Sequence, residues 1–397
     1  MQRRDVLVVG GGIAGLACAA LLGRGGRRVT LLEGASAVGG LARTRICDGF
    51  ALNRGAHALY RGGEAQAVLG MLGITPRGRA PALRGVAYRS GERHRLPTTP
   101  WSMLSTSLLS MRGRLAVAKV FAGLGSLEGG PTSAAAWVEA SAPDDSARAF
   151  LAAMLRLSTY CGDLEAVGAD VAVAALRQAA RHGVLYLDGG WQQLVDALLA
   201  ACEQHGVEVR TRAPAEQVVP GVVTLRDGAR LEAADVVLAL PPSVAARFVE
   251  VPPLHVARVA CLDVALSRRP DGPGLAFDLD DPMYLSVHGD AAALGPGTVV
   301  HTIHYGAPCD ARPRLEGLLD RTLPGWREVC AHVQFLPSIA VSEGIVPPGG
   351  RRPGVRAGGL WRVGDAVGEH GGLADAAFGS AREVARAILG VATSRAA

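Results

Sequence analysis

Lysine is nearly missing from this chain: of its 41 basic residues, only Lys119 is a lysine. A nucleic-acid-binding face usually spreads aromatic residues with both lysine and arginine; with one lysine and 5% aromatics, such binding is not expected. The seven cysteines (18, 47, 161, 202, 261, 309 and 330) are scattered, odd in number and never form C-x-x-C. That spacing argues against a disulfide framework, a zinc site or a redox dithiol, and suits the reduced thiols of a cytoplasmic protein. No stretch reaches the ~18–20 apolar residues that span a bilayer. The start, "MQRRDVLVVGGGIAGLACAALLG", imitates a signal peptide, but Asp5 and the glycine triplet break that pattern. No G-x-S-x-G stretch occurs, so Ser-His-Asp hydrolysis finds no support.

The composition is otherwise apolar, at 49% hydrophobic, and 397 residues is long for one core. Two domains are expected, each free to be discontinuous in sequence. The formal charge of +5 equals the excess carried by residues 77–95 alone, where Arg77, Arg79, Arg84, Arg89, Arg93 and Arg95 face one acid, Glu92. Within it, "VAYRSGERHRL" alternates like a hairpin with a Ser-Gly turn. A solvated hairpin is the first reading, and contact with an anionic surface or acidic substrate the second. The helical stretch near 103–121 carries Arg112, Arg114 and Lys119 beside apolar residues. It reads first as a substrate-domain helix, with peripheral membrane contact second.

The strongest local signal is "DVLVVGGGIAG". An apolar strand runs into Gly10, Gly12, Ile13, Ala14 and Gly15, and a helical pattern follows. Gly10 permits the turn, Gly12 lets a pyrophosphate approach the backbone, and Gly15 allows close helix–strand packing. The helix N-terminus then offers unpaired N–H groups to the phosphates. A second strand, "RRVTLLE", ends in Glu33, placed to accept hydrogen bonds from a ribose diol. Together these features predict a dinucleotide site. A second glycine pair, Gly39 and Gly40, followed by Arg43, suits a flavin dinucleotide whose pyrophosphate the chain crosses again.

With these motifs in place, the chain resembles the superfamily of FAD-dependent amine oxidases, protoporphyrinogen oxidases and phytoene-type desaturases. "FALNRGAHALY" (50–60) is similar to the segment that passes Gly55 and Ala56 beside the flavin ring. "LYLDGGWQQLVDALLAACEQHGVEV" (185–209) resembles the turn and helix returning the chain to the FAD domain. "RAPAEQVVPGVVTLRDGARLEAADVVLALPP" (212–242) resembles the strand touching adenine near Ala215, with a hairpin at Asp227-Gly228. "LWRVGDAVGEHGGLADAAFGSAREVARAIL" is similar to the closing motif. The resemblance implies that Gly364 and Asp365 lie by the ribityl or phosphate groups. It also implies that the helix beginning near Gly372, Leu373 and Ala374 points its N–H groups at the flavin N1/O2 edge, where charge gathers on reduction.

The expected fold is α/β: a Rossmann-like FAD-binding domain (1–75, 182–245 and 355–397) with an inserted α+β substrate-binding domain (76–181 and 246–354). Residues 100–181 read as helical, and "VARVACLDVAL", "PMYLSVHG" and "TVVHTIHYG" as strands. His301 and His304, three apart on a strand, face opposite sides and make no metal site. His57 and His370 adjoin segments that reach the flavin. Each is a candidate for proton handling, with a packed structural role as the alternative. Two features depart from the amine oxidases. Their lysine that holds a water at flavin N5 has no counterpart, since Lys119 lies in another segment, and no tyrosine adjoins the closing motif to cage an amine. The implied function is dehydrogenation of an apolar small molecule (desaturation or aromatisation), with hydride passing to flavin N5. No second nucleotide motif offers an NAD(P)H site, so oxygen or another diffusible acceptor would take the electrons. A flavin-dependent amine or amino-acid oxidase, and a non-enzymatic lipid-type carrier, are the alternatives.

Overall fold

The computed structural model describes residues 4–55, 57–82 and 84–391. The opening strand, Arg4–Val9, lies parallel between Val29–Leu32 and Arg230–Leu238, and is buried from Val6 onward. Its unbroken apolar run suits a strand covered on both faces. Glu208–Arg210 extends the sheet beyond Val29–Leu32, and Leu360–Arg362 joins Arg230–Leu238 in parallel. Val222–Leu225 and Ala215–Val219 add an antiparallel flank, turning at Asp227, whose carboxylate accepts the Ala229 N–H. Helices Ile13–Arg24, Gln192–Gln204 and Leu373–Leu389 pack with Glu64–Met71, burying Val6, Val8, Leu16, Leu198, Phe378 and Val384 in one core. The strands of this sheet come from residues 4–32, 208–238 and 356–362. The two ends of the described chain therefore meet, and Arg27 Nη2 donates to the Ile388 carbonyl at 3.0 Å.

A second sheet of seven strands runs in the order Cys330–Ile345, His255–Leu266, Thr298–Tyr305, Met283–Val287, Leu275–Asp278, Val86–Arg89, Glu92–Arg95. Only Leu275–Asp278 with Val86–Arg89 is parallel. Helices Met111–Gly123, Ala134–Ser141, Asp145–Thr159 and Ala169–His182 share a core with one side, and Ala311–Thr322 covers the other. The Val86–Arg95 hairpin turns on Ser90 and Gly91, both at positive φ, the geometry that suits the twist of paired strands. The long strand Cys330–Ile345 contains Pro337, a residue a central strand would reject. It sits at the sheet edge, where the register slips between Val259 and Cys261 of its neighbour.

Candidate active site

The glycines of the opening loop divide into two kinds. A Cβ on Gly10 would lie 2.2 Å from the Ala239 carbonyl oxygen, and one on Gly15 would lie 2.0 Å from that of Gly10. These positions are closed by the protein itself. Gly12, by contrast, faces open space and leads directly into helix Ile13–Arg24 with no side-chain cap. Gly39 N–H donates to the Gly11 carbonyl (2.7 Å), and Gly40 would bring a Cβ to 3.4 Å from Gly12 Cα. The second glycine pair thus lies across the first loop. Arg43, just beyond, is exposed.

Glu33 closes the far side. Its Oε2 accepts the Gly11 N–H and its Oε1 the Ala35 N–H, each at 2.7 Å, leaving lone pairs on both oxygens for a diol. The strand Ala215–Val219 begins at half-buried Ala215, and Pro214 lies against Gly34. A bulge between Ala215 and Gln217 interrupts the ladder there.

The closing motif supplies a second bare helix start. Gly364 and Gly372 also face open space, and helix Leu373–Leu389 has no side-chain cap. Its first residue, Leu373, holds φ at +52°, a costly conformation for a leucine and one concentrated at functional sites. Ala374 is half-buried beside it. Asp365 receives the Ser342 hydroxyl at 2.5 Å; burial raises its carboxyl above the usual range, against the pull of Ser342 and Arg352. Ser380 Oγ accepts the Gly364 N–H at 3.0 Å, fixing the turn. Asp375, which the sequence did not single out, is buried and ties three helices together. It accepts the Ala65 N–H (2.7 Å) and the Gln178 side-chain amide.

Gly55, at φ +88°, is backed by Ile339 Cδ1 and Cys261 Sγ. Ala56 lies outside the described residues. His57 Nδ1 donates to the Gly55 carbonyl at 2.8 Å, and its ring stands 5.0 Å from that of Trp191. Burial holds this imidazole below its ordinary pKa, outweighing the carbonyls of Gly55 and Leu41, so it is neutral at pH 7. His370 does not join it. Its Nε2 lies 3.4 Å from Glu383 and its Nδ1 4.0 Å from Glu64, so both ring nitrogens face carboxylates.

A polar network that no single stretch announces reaches the chain at Asn53, two residues before Gly55. His301 Nδ1 and Asp263 form a 2.7 Å pair with neither side chain exposed. Gln334 Nε2 bridges Asp263 Oδ2 and the Asn53 carbonyl, and Asn53 Oδ1 accepts the Trp191 backbone N–H. His288 stacks on Tyr186 at 3.6 Å and meets His301 edge-on at 4.2 Å. His304 turns away to Asp281 at 2.7 Å. Among the described residues no group of three or more His, Cys, Asp or Glu could hold a metal ion.

A largely parallel sheet carrying two uncapped helix starts, one after Gly12 and one after Gly372, is the framework of a dinucleotide-binding domain. The residues present fit a flavin dinucleotide: Gly12, Gly364 and Gly372 leave open space where a Cβ would stand, and Glu33 keeps lone pairs free beside the first loop. Comparison with known proteins gives the family. Residues 13–261 match the model of flavin containing amine oxidoreductases, and the chain belongs to that family. It is an FAD-dependent oxidoreductase. A stretch of 117 residues is 31% identical to protoporphyrinogen oxidase 2 (chloroplastic/mitochondrial) of Arabidopsis thaliana, covering 29% of this chain and 23% of that protein. The match thus spans about a quarter of that curated relative. The fold is shared with an oxidoreductase from Methanosarcina mazei (TM-score 0.77, 18% identity, 96% of this chain and 99% of that one). It is also shared with cyclohexylamine oxidase from Brevibacterium oxydans (TM-score 0.72, 16% identity, 98% and 99%).

Proposed function

We propose that this flavoprotein dehydrogenates an apolar, uncharged small molecule, desaturating or aromatising it, with oxygen or another diffusible acceptor restoring the oxidised cofactor. The observation that carries this reading is the wall behind Gly55. Ile339 and Cys261 back the glycine, half-buried Leu336, Val341 and Leu373 pack into the same cluster, and the adjacent His57 is neutral. Such a surface repels a charged group that has no partner and accepts hydrocarbon.

Bound FAD supplies the hydride acceptor. In this reading Gly10 and Gly15 shape the loop, Gly12, Ile13, Ala14, Gly39, Gly40 and Arg43 hold the pyrophosphate, Glu33 the ribose and Ala215 the adenine. Gly364 and Asp365 position the ribityl chain, and the backbone at Gly372, Leu373 and Ala374 faces the ring with a helix N-terminus that favours negative charge. The unit built on the opening parallel sheet is then the FAD domain, and the unit built on the sheet running from Cys330–Ile345 to Glu92–Arg95 the substrate domain. His57 holds Gly55 in place. The test is anaerobic mixing of the yellow protein with apolar ring compounds and, separately, primary amines, followed by flavin absorbance. Bleaching by the former supports the reading. Bleaching by amines alone, or a folded protein without FAD, overturns it.

A further inference from the structure

Helix Met111–Gly123 has two apolar faces, and the fold uses only one. Gly113, Val117 and Val120 are buried against the neighbouring helices. At 3.6 residues per turn, Met111, Leu115, Ala118 and Ala122 form a stripe on the opposite side, with Arg112 and Lys119 along one edge. All six are exposed. The short helix Pro100–Ser105 adds Trp101 and Leu104. These two with Met111 and Leu115 are 66–70% exposed, and are four of the eleven large hydrophobic residues exposed among the described residues. Their concentration within fifteen positions is not the scatter an ordinary surface shows.

The pieces are bound together. Arg114 donates to the carbonyls of Leu104, Thr106 and Leu109, clamping one helix to the other. Thr106 Oγ1 donates to the Arg95 carbonyl, and His94 Nδ1 bonds Ser107, which joins the helices to the arginine hairpin. From Arg93 to Leu127 the sequence has Arg93, Arg95, Arg112, Arg114 and Lys119 and no acid. Arg93, Arg95, Arg112 and Lys119 are exposed, and among the described residues none of them forms an ion pair. Of the flanking acids, Glu92 lies by His94 and Asp144 accepts the Ser110 hydroxyl at the helix start.

We propose that this face docks on an anionic lipid bilayer. An exposed aromatic–aliphatic stripe edged by uncompensated cations matches the boundary between acyl chains and acidic headgroups, where a tryptophan is at home. A second copy of the chain fits poorly, because face-to-face pairing would set like charges against one another. The contact is peripheral: no described helix is long and apolar enough to cross a membrane. It does not depend on the substrate proposed above.

The test is sedimentation of the full-length, FAD-loaded protein with phosphatidylcholine vesicles and with mixed phosphatidylcholine–phosphatidylglycerol vesicles. Pelleting with the mixed vesicles, released by salt, is expected. At about 1 kcal/mol per basic residue near such a surface, Arg112→Glu with Lys119→Glu should weaken binding at least roughly tenfold. Met111→Ser with Leu115→Ser should abolish it. Wild-type FAD content certifies the variants as folded, and Leu115→Gln alone replaces the serine pair if it is not. Equal binding to neutral vesicles, no binding to mixed ones, binding unchanged in the variants, or lipid-free self-association lost with Leu115→Ser would each overturn the proposal.

Discussion

His57 has one N–H as a neutral imidazole, and the Gly55 carbonyl takes it. Its ring packs on Trp191, whose backbone N–H is held by Asn53, so the histidine joins the Gly55 loop to the start of helix Gln192–Gln204. Removing a buried hydrogen bond costs about 1 kcal/mol, a several-fold loss in a coupled binding equilibrium. His57→Ala should therefore lower FAD retention on gel filtration about fivefold, while flavin that stays bound is reduced at close to the wild-type rate. His57→Gln, which keeps a donor, should restore retention. A reduction rate lowered by roughly 10²–10⁴ with FAD still bound would instead make His57 the proton acceptor. His370, already engaged by Glu64 and Glu383, should tolerate alanine in both assays.

At the scale of elements, the opening turn offers a contrast between two glycines three residues apart. Gly15→Ala forces a Cβ to within 2.0 Å of backbone at Gly10, so the helix must move off the strand. A loss of about 3 kcal/mol or more and a lower thermal midpoint are expected. Gly12→Ala meets no protein atom and should leave the cofactor-free fold intact while excluding FAD. Thermal unfolding paired with flavin content separates the two. If both variants kept FAD, the groove would not be the pyrophosphate site. This turn was legible in the sequence because strand, glycines and helix fall within about a dozen residues, where local sterics dictate the conformation. The same holds for Gly39–Gly40 and for the closing motif. The Asp263–His301–Gln334–Asn53 network was not legible, because its members lie on separate strands and meet only through tertiary pairing. In the sequence, the spacing of His301 and His304 speaks only to a shared metal and says nothing of Asp263 or Gln334. The strand Cys330–Ile345 was hidden for another reason: its edge position and register slip erase the alternation that marks a strand.

Across the whole molecule, burial leaves a pH signature. His57 and His288 both have folded pKa values below the unfolded 6.5, His288 well below it, chiefly through desolvation. The unfolded chain therefore binds more protons in acid. Their contribution to stability is complete above about pH 6.5 and is lost as pH falls, by up to about 1.4 kcal/mol per pH unit for each histidine. The thermal midpoint should drop between pH 7 and pH 5, and His288→Phe, which keeps the stacking surface against Tyr186, should flatten that drop. An unchanged slope in the variant would show that other groups govern acid unfolding. The shared sheet makes a further demand on the whole chain. A protein stopped after residue 355 lacks Leu360–Arg362 and helix Leu373–Leu389, and should pellet as aggregate or elute without flavin.

The position of Leu360–Arg362 also sets a timetable. On a ribosome, Val9 emerges early, but the strand completing its sheet is made some 350 residues later. At about 5–20 residues per second, the wait is roughly twenty to seventy seconds. Throughout it, the first βα unit has a glycine loop but no second helix start to face the cofactor. Meanwhile the seven-stranded sheet, whose last strand ends at Ile345, is already complete in sequence. The nascent chain is thus able to finish its inserted part first and close the nucleotide groove last. With FAD held between the Gly12 and Gly372 helix starts, as proposed, its capture would be a late, post-translational event, and free FAD would act on a nearly finished protein rather than on a growing one.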